Sequence, residues 1–181
     1  MRRDQLEHLL RSAGAILETD EFIVIGSQAI VGAVDGELPE VASLSIEADL
    51  VPFDDAAGDK ADLLDGTIGE LSMFHETFGV YAQGVAESTA RLPAGWKDRL
   101  VPLRSTNTRG VTGWCLEPAD LVISKLLAGR EKDLVFCGAL FDAGIVAPDV
   151  VLERGESTDA TTDELALLRG RVHRLTRTIE P

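Results

Sequence analysis

The sequence predicts an α+β fold in which helices flank a small mixed β-sheet and the C-terminal part of the chain is helical. Strand-like and helix-like patterns mix in the first part of the chain, and helical patterns dominate the second. A length of 181 residues, 45% of them hydrophobic and 27% charged, suits one domain with a sizeable core. We therefore predict an α/β core over residues 1–115 and a helical part over residues 116–181, packed on the same domain.

The chain begins with the patterns of a helix, a strand and a second, short helix. Apolar side chains at helical spacing predict a helix over residues 4–17 with one buried stripe. The apolar run 22–25 ends at Gly26, which indicates a buried strand closed by a tight turn. Ser27 is then predicted to be the N-cap of the short helix. Residues 35–42 have the composition of a loop.

Three further strands and one helix are predicted before residue 104. Residues 44–51 alternate, so that one face carries the apolar side chains Leu44, Ile46, Ala48 and Leu50 and the other carries Ser45, Glu47 and Asp49. Residues 59–71 have helical spacing, and residues 80–85 and 100–103 are strand-like. Because Pro102 cannot donate a ladder hydrogen bond, the last of these strands is expected at a sheet edge.

Helices are predicted for most of the second half. Pro118 occupies the first turn of a long helical pattern, and Gly129 is a point at which that pattern can divide in two. Pro148 is placed to begin a further helix. Thr161 and Glu164 have the spacing of a capping box. The last helix that they introduce carries an apolar seam of Leu165, Leu168, Val172 and Leu175.

The net charge is strongly negative, and the whole excess of acidic residues lies in the first half of the chain. Residues 1–90 contain 4 Lys or Arg and 18 Asp or Glu, whereas residues 91–181 contain 13 of each sign. The net charge of −14 argues against extensive non-specific nucleic-acid binding, which needs a positive surface. Two cysteines cannot form a disulfide framework, and no run is long enough for a membrane helix or a signal peptide. We expect a cytoplasmic protein with reduced thiols.

The most informative polar residues are Glu47 and Asp49, which the alternation places side by side on one strand face. Two carboxylates this close repel each other, and a divalent cation between them would remove the repulsion. Hard oxygen ligands on a rigid strand suit Mg²⁺ or Mn²⁺. The alternative is an amphipathic strand whose acidic face is simply solvated.

Two other groups of residues could bind phosphate. The Gly26–Ser27 turn leads into a helix, and the free N–H groups of a helix start attract anions. Lys125, Arg130 and Lys132 provide cations that could hold phosphates or neutralise the acidic strand. The alternatives are an ordinary strand–helix turn and cations that only balance the acidic half. Other titratable candidates, each with a solvent-facing or packing alternative, are Asp65, Glu70, His75, Glu76 and Glu87.

Taken in order, the motifs Ile25-Gly26-Ser27 and Glu47-Ala48-Asp49-Leu50 resemble those of the polymerase-β-like nucleotidyltransferase superfamily. With the later segment DLVISKLLAGREKD, the chain looks most similar to small bacterial members related to the AbiE-type toxin enzymes. The resemblance spans roughly residues 5–145 and implies a nucleotidyltransferase-like fold. It further implies that Gly26 and Ser27 hold a nucleoside triphosphate and that Glu47 and Asp49 bind the metal. Lys125, Arg130 and Lys132 would lie near the phosphates, with Lys125 in a catalytic role.

The resemblance therefore implies a Mg²⁺-dependent enzyme that moves a nucleoside monophosphate to an unidentified acceptor, which could be an RNA end, a protein or a small molecule. One departure is Gln83, which stands where active members usually carry a third carboxylate. It motivates a second hypothesis, a catalytically degenerate module that binds nucleotide without turnover. A third hypothesis is a subunit of a toxin–antitoxin pair, or a self-associating chain, with the partner covering the last helix.

Overall fold

A five-stranded mixed sheet forms the centre of the protein, in a computed structural model that describes residues 1–177. The strand order is β3-β2-β1-β5-β4. Strand β2 runs antiparallel to β1 and parallel to β3, while β5 runs parallel to β1 and antiparallel to β4. The strands are β1 (Glu21–Ile25), β2 (Glu47–Pro52), β3 (Tyr81–Gly84), β4 (Val101–Leu103) and β5 (Thr112–Cys115). The predicted α+β fold with a small mixed sheet is confirmed.

Helices flank this sheet and make up most of the chain after β5. They are α1 (Arg3–Leu17), α2 (Ala29–Ala33), α3 (Asp59–Ile68), α4 (Met73–Phe78), α5 (Pro118–Ala128), α6 (Glu131–Asp142), α7 (Pro148–Gly155) and α8 (Thr162–Thr176). Proline occupies the first turn of α5 and of α7, and Gly129 separates α5 from α6, all as predicted. The capping box is confirmed too, because the Thr161 N–H donates to the Glu164 carboxylate and the Glu164 N–H donates to the Thr161 hydroxyl.

The two faces of the sheet differ in what they carry. On the face covered by α1, a Cβ on Gly113 would meet the side chains of Leu10 and Val24, so helix and sheet approach closely there. Because Val24 pairs with Leu50, the even-numbered residues of β2 share this buried face. The odd-numbered residues, which include Glu47 and Asp49, therefore lie on the opposite face together with Ile23 and Ile25 of β1.

Three of the predicted boundaries were wrong. Strand β2 begins at Glu47 rather than at residue 44, because β3 begins only at Tyr81, which pairs with Glu47. Leu44 and Ile46 are consequently 64% and 46% exposed instead of lying in the core. The helix predicted over residues 59–71 ends at Ile68. The N-cap of α2 is Gln28 and not Ser27, because the chain first turns with the Ala29 N–H donating to the Gly26 carbonyl.

One strand was not predicted. Strand β5 lies between β1 and β4, yet it has only four residues, includes Gly113 and lacks an alternating pattern. Strand β4 does lie at the sheet edge, as Pro102 indicated. The missed strand matters for function because the chain passes from it directly into α5, which carries Lys125.

A buried carboxylate of the helical part pairs with an arginine just before β4 and with one of α7. Asp120 at the start of α5 is fully buried and accepts hydrogen bonds from Arg99 and from Arg154 of α7. Leu168 and Val172 in the predicted seam of α8 are buried, whereas Leu165 and Leu175 are half-buried. The division at residue 115 stays a prediction, and residues 178–181 of its second part lie outside the described chain. None of the helices in residues 1–177 is both long enough and apolar enough to cross a membrane.

Candidate active site

Gly26 lies directly against the carboxylate of Asp49. Ile25 pairs with Asp49, so Gly26 is the first residue beyond β1, where the chain turns with a φ of +67°. A Cβ at position 26 would lie 1.7 Å from Oδ2 of Asp49, much closer than two non-bonded atoms can approach. Only a glycine can therefore make this turn while the carboxylate keeps its place. The structure thus brings together the two motifs that the sequence singled out.

Glu47 and Asp49 point from the same face of β2, and the pair is electrostatically unfavourable. Burial, the negative charge of Glu47 and the closeness of the two carboxyl groups together raise the pKa of Asp49 to about 6. The positive charges of Lys125 and Arg130 act in the opposite direction. The four residues therefore form one electrostatic unit, although they come from β2, α5 and the turn before α6.

Tyr81 forms a hydrogen bond with Glu47, the member of the carboxylate pair at the start of β2. Its hydroxyl donates to Oε2 of Glu47 over 3.1 Å, and the two residues are register partners on β3 and β2. The ring of Tyr81 packs against His75, with ring centres 4.8 Å apart. Nδ1 of His75 accepts from the Leu71 N–H, so this histidine supports Tyr81 and does not reach the carboxylates through that nitrogen. Sequence reasoning missed Tyr81, although its position two residues before Gln83 places both on one strand face.

Gln83 is the register partner of Asp49, on the neighbouring strand. Two acids, Asp65 and Glu70, line a cleft of about 300 Å³ together with Glu47, Tyr81 and Gln83. The Asp65 carboxylate is already engaged, because it accepts from the Gly84 N–H at 2.6 Å. Two other candidates for a third acid lie elsewhere: Glu76 is exposed on α4, and Glu87 forms an ion pair with Lys97 at 2.7 Å.

A buried carboxylate, Asp133, organises the cations of the site. Its side chain is 1% exposed and accepts from Lys125 Nζ at 3.1 Å and from Arg130 Nε at 2.6 Å. Lys125 also lies over the ring of Phe136, 4.9 Å from its centre. Burial would raise the pKa of Asp133, but the hydrogen bonds and charges of Arg130 and Lys125 hold it below its ordinary value. Arg130 and Asp133 are three residues apart, a spacing at which side chains can pair locally.

Sequence reasoning did not find the Lys125–Asp133 pair, because Gly129 interrupts the helix between the two residues. The same interruption means that Lys125 and Lys132 do not share one continuous helix. Lys132 is exposed on α6, and its side chain makes no hydrogen bond or ion pair within residues 1–177. Ser27 is half-buried beside Gly26, and its hydroxyl has no hydrogen-bond partner among the same residues.

Replacing Asp133 by alanine is expected to destabilise the protein by about 3–5 kcal/mol, because it leaves the charge of Lys125 buried without a partner. Urea denaturation followed by circular dichroism measures this change. The double variant Lys125→Met with Asp133→Leu removes both charges and should recover most of the loss. Equal destabilisation by the single and the double replacement would show that packing, and not the unpaired charge, is responsible.

The donor set of the site fits a divalent cation held by two carboxylates. Glu47 and Asp49 supply oxygen ligands of the kind that Mg²⁺ and Mn²⁺ prefer, and their mutual repulsion is what such a cation would relieve. In the described part of the chain, no group of three or more acidic, histidine or cysteine side chains is arranged to hold a metal ion. One or two carboxylates are a sufficient protein contribution for Mg²⁺, which usually keeps water and substrate oxygens among its ligands.

A family model described as "nucleotidyltransferase of unknown function (DUF6036)" matches residues 4–137, about three quarters of the chain. The chain belongs to this nucleotidyltransferase family. The matched segment runs from α1 into α6 and includes Gly26, Glu47, Asp49, Lys125 and Asp133. The predicted membership of a nucleotidyltransferase family is confirmed at this level, and the AbiE-type relationship stays a prediction. No curated protein and no solved structure matches the chain significantly.

Proposed function

We propose that this member of the nucleotidyltransferase family transfers a nucleoside monophosphate from a nucleoside triphosphate to an acceptor hydroxyl. The observation that carries the proposal is the contact of the Gly26 backbone with the Asp49 carboxylate. The turn that would bind phosphate and the strand that carries the two carboxylates are in contact, so both can act on the same bound substrate. Lys125 and Arg130 lie close enough to Asp49 to affect its pKa, so positive charge is available at the same point.

Each residue has a role that follows from its position. The backbone of Gly26 can approach a triphosphate closely because it has no side chain, and the free hydroxyl of Ser27 can donate to a phosphate oxygen. Lys125 and Arg130 offset the negative charge that develops on the phosphates as pyrophosphate leaves. Asp133 keeps both cations in place, and Tyr81 orients Glu47. The nucleotide contact expected of Lys132 stays a prediction.

Glu47 and Asp49 would hold the Mg²⁺ or Mn²⁺ ion that accompanies the nucleotide. When bound, such an ion neutralises triphosphate charge and helps to orient the reacting phosphate. The protein's own contribution is to fix the two carboxylates. Asp49 is confined between Gly26 and the register partner Gln83, and Glu47 is restrained by the Tyr81 hydroxyl. The Tyr81 hydroxyl can thus keep the Glu47 side chain, which is longer than that of an aspartate, in one position.

The test is pyrophosphate release from each nucleoside triphosphate in the presence of Mg²⁺ or Mn²⁺. Total RNA, a protein extract and a small-molecule extract serve as separate acceptors. We expect release that depends on the divalent ion and on one of these acceptors. Release that continues unchanged in the presence of a chelator, or no release with any acceptor, would contradict the proposal.

A binding module is the second candidate function, and Gln83 favours it. Gln83 is directly opposite Asp49, where the resemblance predicts a carboxylate. The site therefore has two acidic side chains on β2 and a neutral amide on β3. The module would bind nucleotide without producing pyrophosphate, and binding would persist after removal of the metal. A metal-dependent turnover would exclude it.

The similarity to AbiE-type enzymes extends the proposal to a biological setting. In this extension, the protein is part of a bacterial toxin–antitoxin or phage-defence system, with an antitoxin or a second copy of the chain as partner. The support is the order of the motifs in the sequence, which resembles that of the AbiE-type enzymes. Growth arrest on expression of the wild-type protein, relieved by inactivation of Asp49, would agree with this setting, and unaffected growth would not.

A further inference from the structure

A second cleft lies on the same sheet face as Glu47 and Asp49. It encloses about 490 Å³, within the range of small-molecule sites, and its floor includes Ile23, Val51 and Val85. Val51 follows Asp49 by two residues on β2 and pairs with Ile23 on β1. Because a strand rises about 3.3 Å per residue, the cleft begins roughly 7 Å from the carboxylates.

The cleft lies on the side of Asp49 that is away from Gly26. Strands β1 and β2 are antiparallel, so Gly26 follows the end of β1 while Val51 lies further along β2, towards the opposite end of the sheet. Asp49 is thus between the phosphate-binding turn and the cleft. In phosphoryl transfer the attacking and the leaving oxygen are roughly in line on opposite sides of the phosphorus. If pyrophosphate leaves at Gly26 and Ser27, the acceptor oxygen must arrive from the side of the cleft.

The lining of the cleft favours a small acceptor over a polynucleotide. Phe53 is 39% exposed there and offers an aromatic surface next to the apolar floor. The charged groups at the rim are mainly acidic, and the lysine, Lys97, is paired with Glu87 at 2.7 Å. A phosphodiester backbone needs several unpaired cations, which the rim does not offer among residues 1–177. An apolar ring that carries hydroxyl groups, and is neutral or cationic, matches both the floor and the rim.

We propose that this cleft is the acceptor site of the transferase and that the acceptor is a small hydroxylated ring compound without negative charge. This inference depends on the proposed function. The acceptor oxygen forms a bond to the α-phosphorus, and the bond between that phosphorus and the bridging oxygen breaks. Pyrophosphate keeps the electron pair of the broken bond, and the hydroxyl proton passes to solvent water. The products are a nucleotidylated small molecule and pyrophosphate.

Blocking the cleft with Ala86→Phe tests the inference. Ala86 is exposed, lines the cleft and has an extended backbone, so phenylalanine can fill the space without disturbing the core. The matched control is Ala143→Phe, an exposed alanine at the end of α6. The assay follows label from α-labelled nucleoside triphosphates into the small-molecule fraction of a cell extract, with total RNA and total protein as parallel acceptors.

We expect label in the small-molecule fraction with the wild-type protein and with Ala143→Phe. Transfer by Ala86→Phe should fall by about 100-fold, because even small misplacement of a reactant has an effect of this size. Its Mg²⁺-dependent nucleotide binding should be unchanged. Label in RNA or protein instead, or equal transfer by Ala86→Phe, would overturn the acceptor site and leave the proposed function standing. Failure of the wild-type protein to transfer label to any fraction would contradict the proposed function and this inference together.

Discussion

Replacing Asp49 by asparagine is expected to abolish nucleotidyl transfer while making the folded protein more stable. In the proposed function Asp49 holds the metal, and loss of such a ligand removes several kcal/mol of stabilisation from the transfer step, so we expect the rate to fall by about 1000-fold or more. The increase in stability has a separate cause. Burial and the neighbouring charge of Glu47 disfavour the ionised Asp49 carboxylate in the folded state and raise its pKa to about 6.

The direction of the pH dependence follows from this raised pKa. Between pH 3.8 and about 6, folded Asp49 binds a proton that the unfolded chain releases, so the free energy of unfolding decreases as the pH rises. At neutral pH the destabilisation is almost complete and is about 3 kcal/mol, because each pKa unit corresponds to about 1.4 kcal/mol. Asparagine carries no charge and should remove it. Urea denaturation at a series of pH values measures the effect.

Asp62→Asn, an exposed position on α3, is the control for the loss of a carboxylate. It should change neither transfer nor the pH dependence of stability. An Asp49→Asn protein that is inactive but less stable than the wild type at neutral pH would mean that Asp49 is primarily a structural residue. That result would remove the physical basis on which the pair with Glu47 is assigned to a metal.

Replacing Gly26 by alanine should produce the second large loss. The alanine Cβ would be placed 1.7 Å from Oδ2 of Asp49, so the carboxylate must move away from the Gly26–Ser27 turn, the proposed phosphate site. We expect a decrease in transfer of about 100-fold, as is typical when a reacting group is misplaced by about 1 Å. An alanine at a φ of +67° is also strained, which should destabilise the folded variant by about 1–2 kcal/mol.

Gly144→Ala separates these two effects. Gly144 has almost the same φ, +66°, and an added Cβ would meet no other atom within 4 Å. This variant should show a similar loss of stability in thermal denaturation and no loss of transfer. If both glycine variants kept full transfer, the contact between Gly26 and Asp49 would not be part of the active site.

Local patterns were sufficient to predict most of the elements that carry the site. The apolar run before Gly26, the proline at the start of α5 and the division at Gly129 all appear in the structure as expected. Each is determined by residues that are adjacent in the chain, such as a proline that fixes φ or an apolar run that must be buried. The proximity of Gly26 to Asp49 is a consequence of strand pairing, which the resemblance to the polymerase-β-like superfamily anticipated.

Features that depend on distant partners were not predictable. Strand β5 has no distinctive pattern and is defined by its place between β1 and β4. Strand β2 begins where β3 begins to pair with it. Residues 44–46 alternate in the sequence but precede this pairing, so they are not part of the strand. The contact of Lys125 with Asp133 crosses a helix break, and that of Tyr81 with Glu47 crosses between two strands. The spacing of these residues in the sequence does not indicate either contact.

Calorimetric titration with a non-hydrolysable nucleoside triphosphate analogue tests the central claim most directly. The claim is that Gly26, Glu47 and Asp49 form one site for a metal–nucleotide complex. We predict binding to the wild-type protein that requires Mg²⁺ or Mn²⁺, that is lost in Asp49→Asn and that is retained in Gly144→Ala. Binding of equal strength without a divalent ion, or equal binding by Asp49→Asn, would contradict the claim.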